Sequence, residues 1–202
     1  STDRLLDYEL NIGEVVSRGW ALLTGNFWLA VGATALVTLC TMAVSMIPFL
    51  IGTIANAVLG QVFYAGLYFF YLQLDRGEAV ELGQAFAGFS KHTAKLILLG
   101  LLVFGISLGL MLVAALPVGI VLLSNVLAHG GNPDISTLVG WPLILSGIVA
   151  LPVVCFLVYL SVSWVLAPIL VIDQGLGPWT ALQTSRKLVS KQWLAFFLLF
   201  LV

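Results

Sequence analysis

Four long apolar runs without a single charged residue constrain this chain more than any other feature. The runs cover residues 27–47, 50–74, 96–123 and 143–172. About 20 apolar residues in a helix cross the roughly 30 Å hydrocarbon layer of a bilayer, so each run is long enough to span a membrane. The last two runs exceed that length, which predicts a tilted or interrupted helix near Pro117, Pro152 or Pro168.

The composition excludes a water-soluble fold, because 61% of the 202 residues are hydrophobic and only 8% are charged. That leaves too little polar surface to cover a core of this size. A net charge of -1, with basic residues scattered over separate segments, also excludes nucleic acid as a partner. We therefore predict an all-α polytopic membrane protein, with residues 1–202 forming a single integral membrane domain.

Short amphipathic segments separate the apolar runs. Residues 11–25, 82–94 and 178–191 each place apolar residues at helical spacing on one side and polar residues on the other. We predict three surface helices and interpret the chain as three copies of a surface helix followed by a transmembrane hairpin. The third copy is cut short, since residues 194–202 form only a partial fifth span, and six spans are expected in the complete polypeptide.

The first and last surface helices align when one is shifted by 166 positions. Val15, Val16, Gly19, Leu22 and Leu23 fall on Ala181, Leu182, Ser185, Leu188 and Val189. Apolar or small residues meet apolar or small residues at each of these positions. The alignment predicts that the two helices are related copies, with the middle segment a weaker third.

The basic residues indicate how the chain is oriented. All eight Lys and Arg residues fall in three zones, which lie before the first run, between the second and third runs, and after the fourth run. Four membrane crossings place all three zones on one side, and the positive-inside rule assigns that side to the cytoplasm. The N-terminus is therefore predicted to be cytoplasmic.

An Asp-x-Gly sequence recurs where the second and fourth apolar runs end, at Asp75 and Gly77 and again at Asp173 and Gly175. The glycines suit a turn with positive φ. The aspartates suit backbone hydrogen bonds within the turn and an ion pair with a basic neighbour such as Arg76 or Arg186. The alternative is that the two carboxylates are catalytic.

In the last copy, this corner motif continues through Ala181, Leu182 and Ser185 to the sequence Lys191-Gln192-Trp193 and a further apolar run. The pattern resembles the membrane-domain superfamily found beside some bacterial glycerophosphoryl diester phosphodiesterases, together with related six-span bacterial membrane proteins. The resemblance implies a multi-pass helical domain of the bacterial cytoplasmic (inner) membrane with no established activity. The catalytic carboxylates and metal ligands of the phosphodiesterase have no counterpart in this chain.

The sequence favours a role without catalysis. It contains no GxSxG, Walker or HExxH motif, and its histidines, His92 and His129, lack partners at metal-ligand spacing. We therefore expect neither an enzyme nor a metal or cofactor site. The four apolar runs also lack the ionisable residues on which proton-coupled and ion-coupled transporters usually depend.

Two sets of residues are candidate lipid contacts. Basic residues of the surface helices would meet anionic headgroups on one leaflet, and these are Arg18, Lys91, Lys95, Arg186, Lys187 and Lys191. Polar and aromatic residues at helical spacing would line a groove for the head of a lipid or other amphiphile, and these are Thr38, Gln61, Tyr64, Tyr68 and Tyr159. The alternatives are that the basic residues only anchor the helices and that the second set packs helix against helix.

These features predict a non-catalytic, lipid-contacting scaffold or partner-binding subunit. Its partners would be membrane lipids and a further membrane or cytoplasmic protein, and its oligomeric state stays open. The alternative is an uncoupled transporter or exporter of a small amphiphile, which would use the internal repeats to alternate between two openings. A water-filled cavity reaching the middle of the membrane would favour transport, whereas a dry, closely packed bundle would favour the scaffold.

Overall fold

The computed structural model describes residues 11–47, 49–128 and 140–199, and within them the side chains of all but residues 49–51 and 141–143. Within these ranges there are helices and connecting turns but no strand. The elements are α1 (Ile12–Gly25), α2 (Phe27–Ser45), α3 (Phe49–Asp75), a 3₁₀ helix (Leu82–Phe89), α4 (Thr93–Ala128), α5 (Trp141–Ser163), α6 (Ala167–Gln174), α7 (Pro178–Ser190) and α8 (Trp193–Leu199). The predicted all-α architecture is confirmed.

Four of the described stretches are long and apolar enough to cross a membrane. They are Phe27–Ser45, Gly52–Asp75, Thr93–Ala128 and Ile144–Gln174. They lie over the four uncharged runs of the sequence, and the chain is therefore a multi-pass membrane protein. His129 and the end of the predicted fifth span, residues 200–202, lie outside the described residues.

Helix α1 begins at Asn11, whose side-chain oxygen Oδ1 accepts hydrogen bonds from the backbone N–H groups of Gly13 and Glu14 at 3.1 and 3.4 Å. This cap satisfies two of the N–H groups that the first turn of a helix leaves without partners. Asn26 ends α1 and directly precedes α2, since its N–H bonds to the carbonyl of Leu22 and its carbonyl accepts from Ala30. The surface helix and the first membrane span are thus joined by a single residue.

The surface helix predicted over residues 82–94 differs in type and extent in the structure. Leu82–Phe89 is a 3₁₀ helix, and Thr93 already belongs to the long helix α4. A 3₁₀ helix repeats every three residues, so Leu82, Ala85 and Gly88 share one face, and the last two are buried. His92, with a positive φ of 54°, separates the 3₁₀ helix from α4.

Glycines allow the 3₁₀ helix to lie almost directly on the backbone of α3. A methyl group added to Gly66 would collide with the carbonyl oxygen of Ala85, and one added to Gly88 would collide with that of Val62. The absence of a side chain at both positions lets the two backbones touch. Phe63 completes the contact through edge-to-face packing on Phe89, with ring centroids 5.1 Å apart.

The fourth span is interrupted at residues 164–166, between α5 and α6. Pro168 lacks an N–H, so the carbonyl of Trp164 accepts instead from Ala167, one residue earlier, at 3.0 Å. The prediction of a distortion near Pro168 therefore identifies the interruption. Helix α4 passes through Pro117 and α5 passes through Pro152 without a break. Of the two alternatives for the third span, the break at Pro117 is therefore wrong and the tilt stays a prediction. A long helix absorbs an internal proline at the cost of one backbone hydrogen bond.

The chain divides into two compact units. The first comprises the residues up to Phe104 together with those from Val162 onward, and the second is Gly105–Ser161. The core of the first unit is built from α3, the 3₁₀ helix, the start of α4, α6 and α7. The second contains the later part of α4 and most of α5, and its apolar side chains, such as Leu112, Ile120 and Leu151, are largely exposed, as lipid contact allows.

Candidate functional site

An apolar groove runs along the outer surface of α2 in the first unit. Its lining residues are Leu23, Ala30, Val31, Thr34, Ala35, Thr38, Leu39, Met42 and Tyr71, and they enclose about 530 Å³. Helix α2 contributes most of the wall, α1 contributes Leu23 at one end, and α3 contributes Tyr71. The groove is open to the surroundings of the helices, which in a membrane are lipid chains.

Each hydroxyl group in this groove already donates a hydrogen bond within the protein. Thr34 Oγ1 donates to the carbonyl of Ala30 at 2.9 Å, and Thr38 Oγ1 donates to the carbonyl of Thr34 at 2.7 Å. Tyr71 OH lies 2.6 Å from Thr34 Oγ1 and therefore donates there or to the carbonyl of Ala30 at 3.3 Å. Since each hydroxyl has one proton, these three groups offer an occupant acceptor positions but no donor.

The residues predicted to line a shared groove fall in different places. Thr38 lines the groove on α2. Tyr64 and Tyr68 lie on α3 and stack on each other, with ring centroids 6.4 Å apart, while Gln61 lies beside Gly100 of α4. Tyr159 belongs to the second unit, where it stacks on Phe156. The structure thus brings Thr38 together with Tyr71 instead of the other predicted tyrosines.

Sequence reasoning did not select Tyr71 as a lining residue, although a signal was present. Tyr71 ends the polar and aromatic stripe that contains Gln61, Tyr64 and Tyr68 on α3. Helical spacing groups the four residues on one side of α3 but does not tell which of them meets the neighbouring helix. Only Tyr71, of these four, lines the α2 groove.

The two corner glycines have the predicted left-handed backbone, with φ of 72° at Gly77 and 65° at Gly175. The N–H of Gly175 bonds to the carbonyl of Val171 and so caps the end of α6. A glycine is favoured at both positions because a side chain raises the energy of this conformation.

The corner aspartates form ion pairs that join distant segments of the first unit. Asp75 receives two hydrogen bonds from Arg18 of α1, at 2.7 Å from Nε and 2.9 Å from Nη2. Asp173 receives one from Arg76 Nη1 at 3.3 Å. The prediction was an ion pair with a basic residue nearby in the sequence, such as Arg76 or Arg186. Arg76 does form such a pair, but with Asp173, 97 residues away, and Asp75 pairs with Arg18, 57 residues away.

Three basic or aromatic contacts surround the second corner. Lys95 Nζ donates to the carbonyl of Gly175 at 2.6 Å, and the imidazole of His92 lies against the same glycine. Lys91 Nζ lies 4.1 Å from the centre of the Phe69 ring, which is a cation–π contact. Lys91 and Lys95, both predicted headgroup contacts, are therefore engaged with the protein itself. Segments before α2, after α3, before α4 and before α7 are joined by these polar contacts at one end of the first unit.

Helix α7 is docked against protein along its apolar face. Ala181, Leu182, Ser185 and Val189 are buried, while Arg186 and Lys187 on the opposite face are exposed, as is Lys191 just beyond the helix. The amphipathic pattern is as predicted, but the apolar face contacts α6 and the core of the first unit instead of the membrane surface. The exposed basic residues Arg186, Lys187 and Lys191 remain accessible as predicted headgroup contacts.

Ser185 forms a buried hydrogen bond where α7 packs against the fourth span. Its Oγ donates to the carbonyl of Ser163 at 2.7 Å, and both residues are fully buried. This carbonyl ends α5, and its usual donor, the N–H of Ala167, bonds to Trp164 instead. Ser185 therefore provides a side-chain donor for a buried backbone carbonyl at the interruption of the fourth span, where water is not at hand.

Four apolar spans, a polar network at one end of the first unit and an apolar groove along α2 define a multi-pass integral membrane protein. Among the described residues, no group of three or more His, Cys, Asp or Glu side chains is arranged to hold a metal ion. The chain belongs to the family described as "Protein of unknown function (DUF975)", which it matches over residues 20–202.

No curated protein matches the chain, and no solved structure does. The family match covers the corner motifs, α1 from Trp20 onward and all four spans. It does not include a link to the phosphodiesterase membrane domains, so that finer resemblance stays a prediction.

Proposed function

We propose that this protein is a non-catalytic, lipid-contacting scaffold that holds one acyl chain of a membrane lipid in the α2 groove. The single observation that carries this proposal is the groove itself, an open apolar channel of about 530 Å³ on a membrane-spanning helix. We place the protein in the bacterial cytoplasmic membrane with its N-terminus in the cytoplasm. The distribution of basic residues and the resemblance to bacterial six-span proteins support this placement.

The hydrogen bonds of the groove favour an alkyl chain over a lipid headgroup. Phosphate and ester oxygens are acceptors, and they would need donors that Thr34, Thr38 and Tyr71 have already committed. A hydrocarbon chain needs no hydrogen bond and can fill the space between the apolar side chains. The sequence pattern suggested that the groove holds a lipid headgroup. With an alkyl chain in the groove, the headgroup lies at the polar end of the first unit instead.

The groove also has the length of one leaflet. Ala30 and Met42 line its two ends and are 12 residues apart on α2, which is about 18 Å at the usual helical rise. Half of a hydrocarbon layer of roughly 30 Å is about 15 Å. A single acyl chain can therefore lie along the groove with its headgroup beyond the end marked by Tyr71.

Two neighbouring residues of α2 provide a matched test. Ala35 lines the groove, whereas Leu36 is 40% exposed on another side of the helix. Replacing Ala35 with Phe should fill the groove and reduce the lipid retained by purified protein in native mass spectrometry. The variant Leu36→Phe should retain as much lipid as the unchanged protein. Equal retention by all three proteins would refute the proposal.

The interruption of the fourth span favours a second candidate, the uncoupled transport of a small amphiphile. Transporters often carry interrupted helices whose free backbone groups bind the substrate. Here the hydroxyl of Ser185 donates to the carbonyl of Ser163 at the interruption, which supports a structural role for it. Substrate-dependent flux through proteoliposomes containing the protein would favour transport, and its absence in the presence of retained lipid would favour the scaffold.

A further inference from the structure

The ion pair between Arg18 and Asp75 lies at the end of the α2 groove. Tyr71, which lines the groove, and Asp75 are four residues apart on α3, so they share a face of the helix. Asp75 therefore lies about 6 Å further along the axis of α3. Because Arg18 Nε is 2.7 Å from Asp75 Oδ1, the guanidinium group stands one helical turn beyond the groove.

Both partners of this ion pair keep unused hydrogen-bonding capacity. The Arg18 guanidinium has five N–H donors, of which Asp75 takes two. The Asp75 carboxylate has about four acceptor positions, of which Arg18 takes two. The Arg18 side chain is 66% exposed and that of Asp75 is 32% exposed, so a ligand can approach each of them.

We propose that the Arg18–Asp75 pair binds a zwitterionic phospholipid headgroup that carries a primary ammonium group, with phosphate at Arg18 and ammonium at Asp75. This inference rests on the proposed function, since the acyl chain of the same lipid lies in the α2 groove. A phosphoethanolamine headgroup carries both charges next to each other, as the pair does. The match of charges specifies this occupant over a headgroup with negative charge alone, which Asp75 would repel.

The ammonium group must be able to donate hydrogen bonds. A primary ammonium offers three N–H donors to the carboxylate of Asp75, whereas the quaternary ammonium of a choline headgroup offers none. The phosphate has its donors at Arg18, since the hydroxyl groups of the groove provide none. The site should therefore bind phosphoethanolamine more tightly than phosphocholine, which lacks the charge-assisted hydrogen bond to Asp75. It should also bind phosphoethanolamine more tightly than phosphoglycerol, which has no positive charge to pair with Asp75.

The test measures retained lipid by native mass spectrometry after reconstitution in an equimolar mixture of phosphatidylethanolamine, phosphatidylcholine and phosphatidylglycerol with identical acyl chains. The unchanged protein should retain phosphatidylethanolamine about tenfold over either competitor, the size of one charge-assisted hydrogen bond. Asp75→Asn should abolish this preference and shift retention to phosphatidylglycerol. Arg18→Gln should lower retention of all three lipids. Gln183→Ala, on the exposed face of α7, should leave the pattern unchanged.

The opposite responses of the two variants separate headgroup binding from a structural ion pair. If the pair only joined α1 to α3, Asp75→Asn and Arg18→Gln would change lipid retention in the same direction. A preference of the unchanged protein for phosphatidylglycerol would overturn the proposal. Ala35→Phe could lower the total amount of retained lipid while Asp75→Asn leaves the preference for phosphatidylethanolamine intact. That result would support the groove and refute the headgroup site.

A second measurement uses the unchanged protein, so it does not depend on the folding of a variant. Stepwise N-methylation of phosphatidylethanolamine removes one donor at a time until phosphatidylcholine is reached. Retention should fall with each methyl group, while the acyl chains stay the same. Equal retention across the series would show that Asp75 does not bind the ammonium group.

Discussion

Helices α1 and α7 carry the same amphipathic pattern but present their apolar faces to different surroundings. In α7, Leu182 is 2% exposed, and the helix is packed into the core of the first unit. At the aligned position of α1, Val16 is 41% exposed, and no residue of that helix is buried. An amphipathic sequence therefore tells which face avoids water, but it does not tell whether lipid or protein covers that face.

The difference between the helices originates in what lies beside them. The short helix α6 contacts α7 and offers it a buried surface that includes Leu170 and Val171. Helix α1 contacts the start of α2 and forms the ion pair from Arg18 to Asp75. We infer that lipid covers the apolar face of α1, which places Trp20 and its neighbours at the membrane interface.

The aligned residues Leu182 and Val16 give the largest predicted difference. Leu182→Ala should lower the free energy of unfolding by about 2–5 kcal/mol, because it leaves a cavity in a closely packed core. Val16→Ala should change it by less than about 0.5 kcal/mol, since Val16 lies outside any core. Denaturant titration in mixed micelles measures both values. Equal losses would mean that α1 is docked in the same way as α7.

A smaller difference is predicted at Ser185 and its aligned residue, Gly19. Ser185→Ala should cost about 1–3 kcal/mol, because the buried hydrogen bond from its hydroxyl to the carbonyl of Ser163 is lost. Gly19→Ala should stabilise α1 by up to about 1 kcal/mol through helix propensity, as a methyl group there meets no atom within 4 Å.

A control for the Ser185 variant is Ser190→Ala on the same helix. Ser190 is exposed, and its hydroxyl bonds to the carbonyl of Lys187 in the preceding turn. The thermal unfolding midpoint should therefore fall for Ser185→Ala and stay nearly constant for Ser190→Ala. A similar fall for both would show that the Ser163 carbonyl does not depend on Ser185.

The smallest predicted effect concerns Arg18, whose side chain ties α1 to the end of α3. Arg18→Gln should lower the free energy of unfolding by no more than roughly 1 kcal/mol, because the ion pair is largely exposed and therefore screened. Arg186→Gln, on the exposed face of α7, should have no measurable effect. A loss of several kcal/mol for Arg18→Gln would indicate that the pair holds α1 in place.

The fold class and the number of spans could be predicted from sequence because uncharged apolar runs have few alternatives to membrane helices. The 3₁₀ helix could not, because its conformation depends on the close approach of Gly66 and Gly88, two residues in different elements. An amphipathic pattern over residues 82–94 fits an α-helix equally well. The interruption near Pro168 was indicated by the proline, but Pro117 and Pro152 gave the same signal in uninterrupted helices.

The candidate site was only partly predictable for a similar reason. The positive φ of the corner glycines and the exposure of the basic residues of α7 could be predicted, because both depend on residues nearby in the sequence. The pair between Arg18 and Asp75 and the contact of Tyr71 with α2 join segments far apart in the chain. Such contacts depend on which face of each helix meets the next, and periodicity alone leaves that open.

The central claim is that lipid covers α1 where protein covers α7, and methyl NMR in nanodiscs tests it without changing the protein. With methyl-labelled Val and Leu residues, nuclear Overhauser effects report which protons lie near each methyl group. The account predicts cross-peaks between Val16 and lipid acyl chains, which disappear with deuterated lipid, and only protein cross-peaks for Leu182. Equally strong lipid contacts for Leu182, or none for Val16, would contradict it.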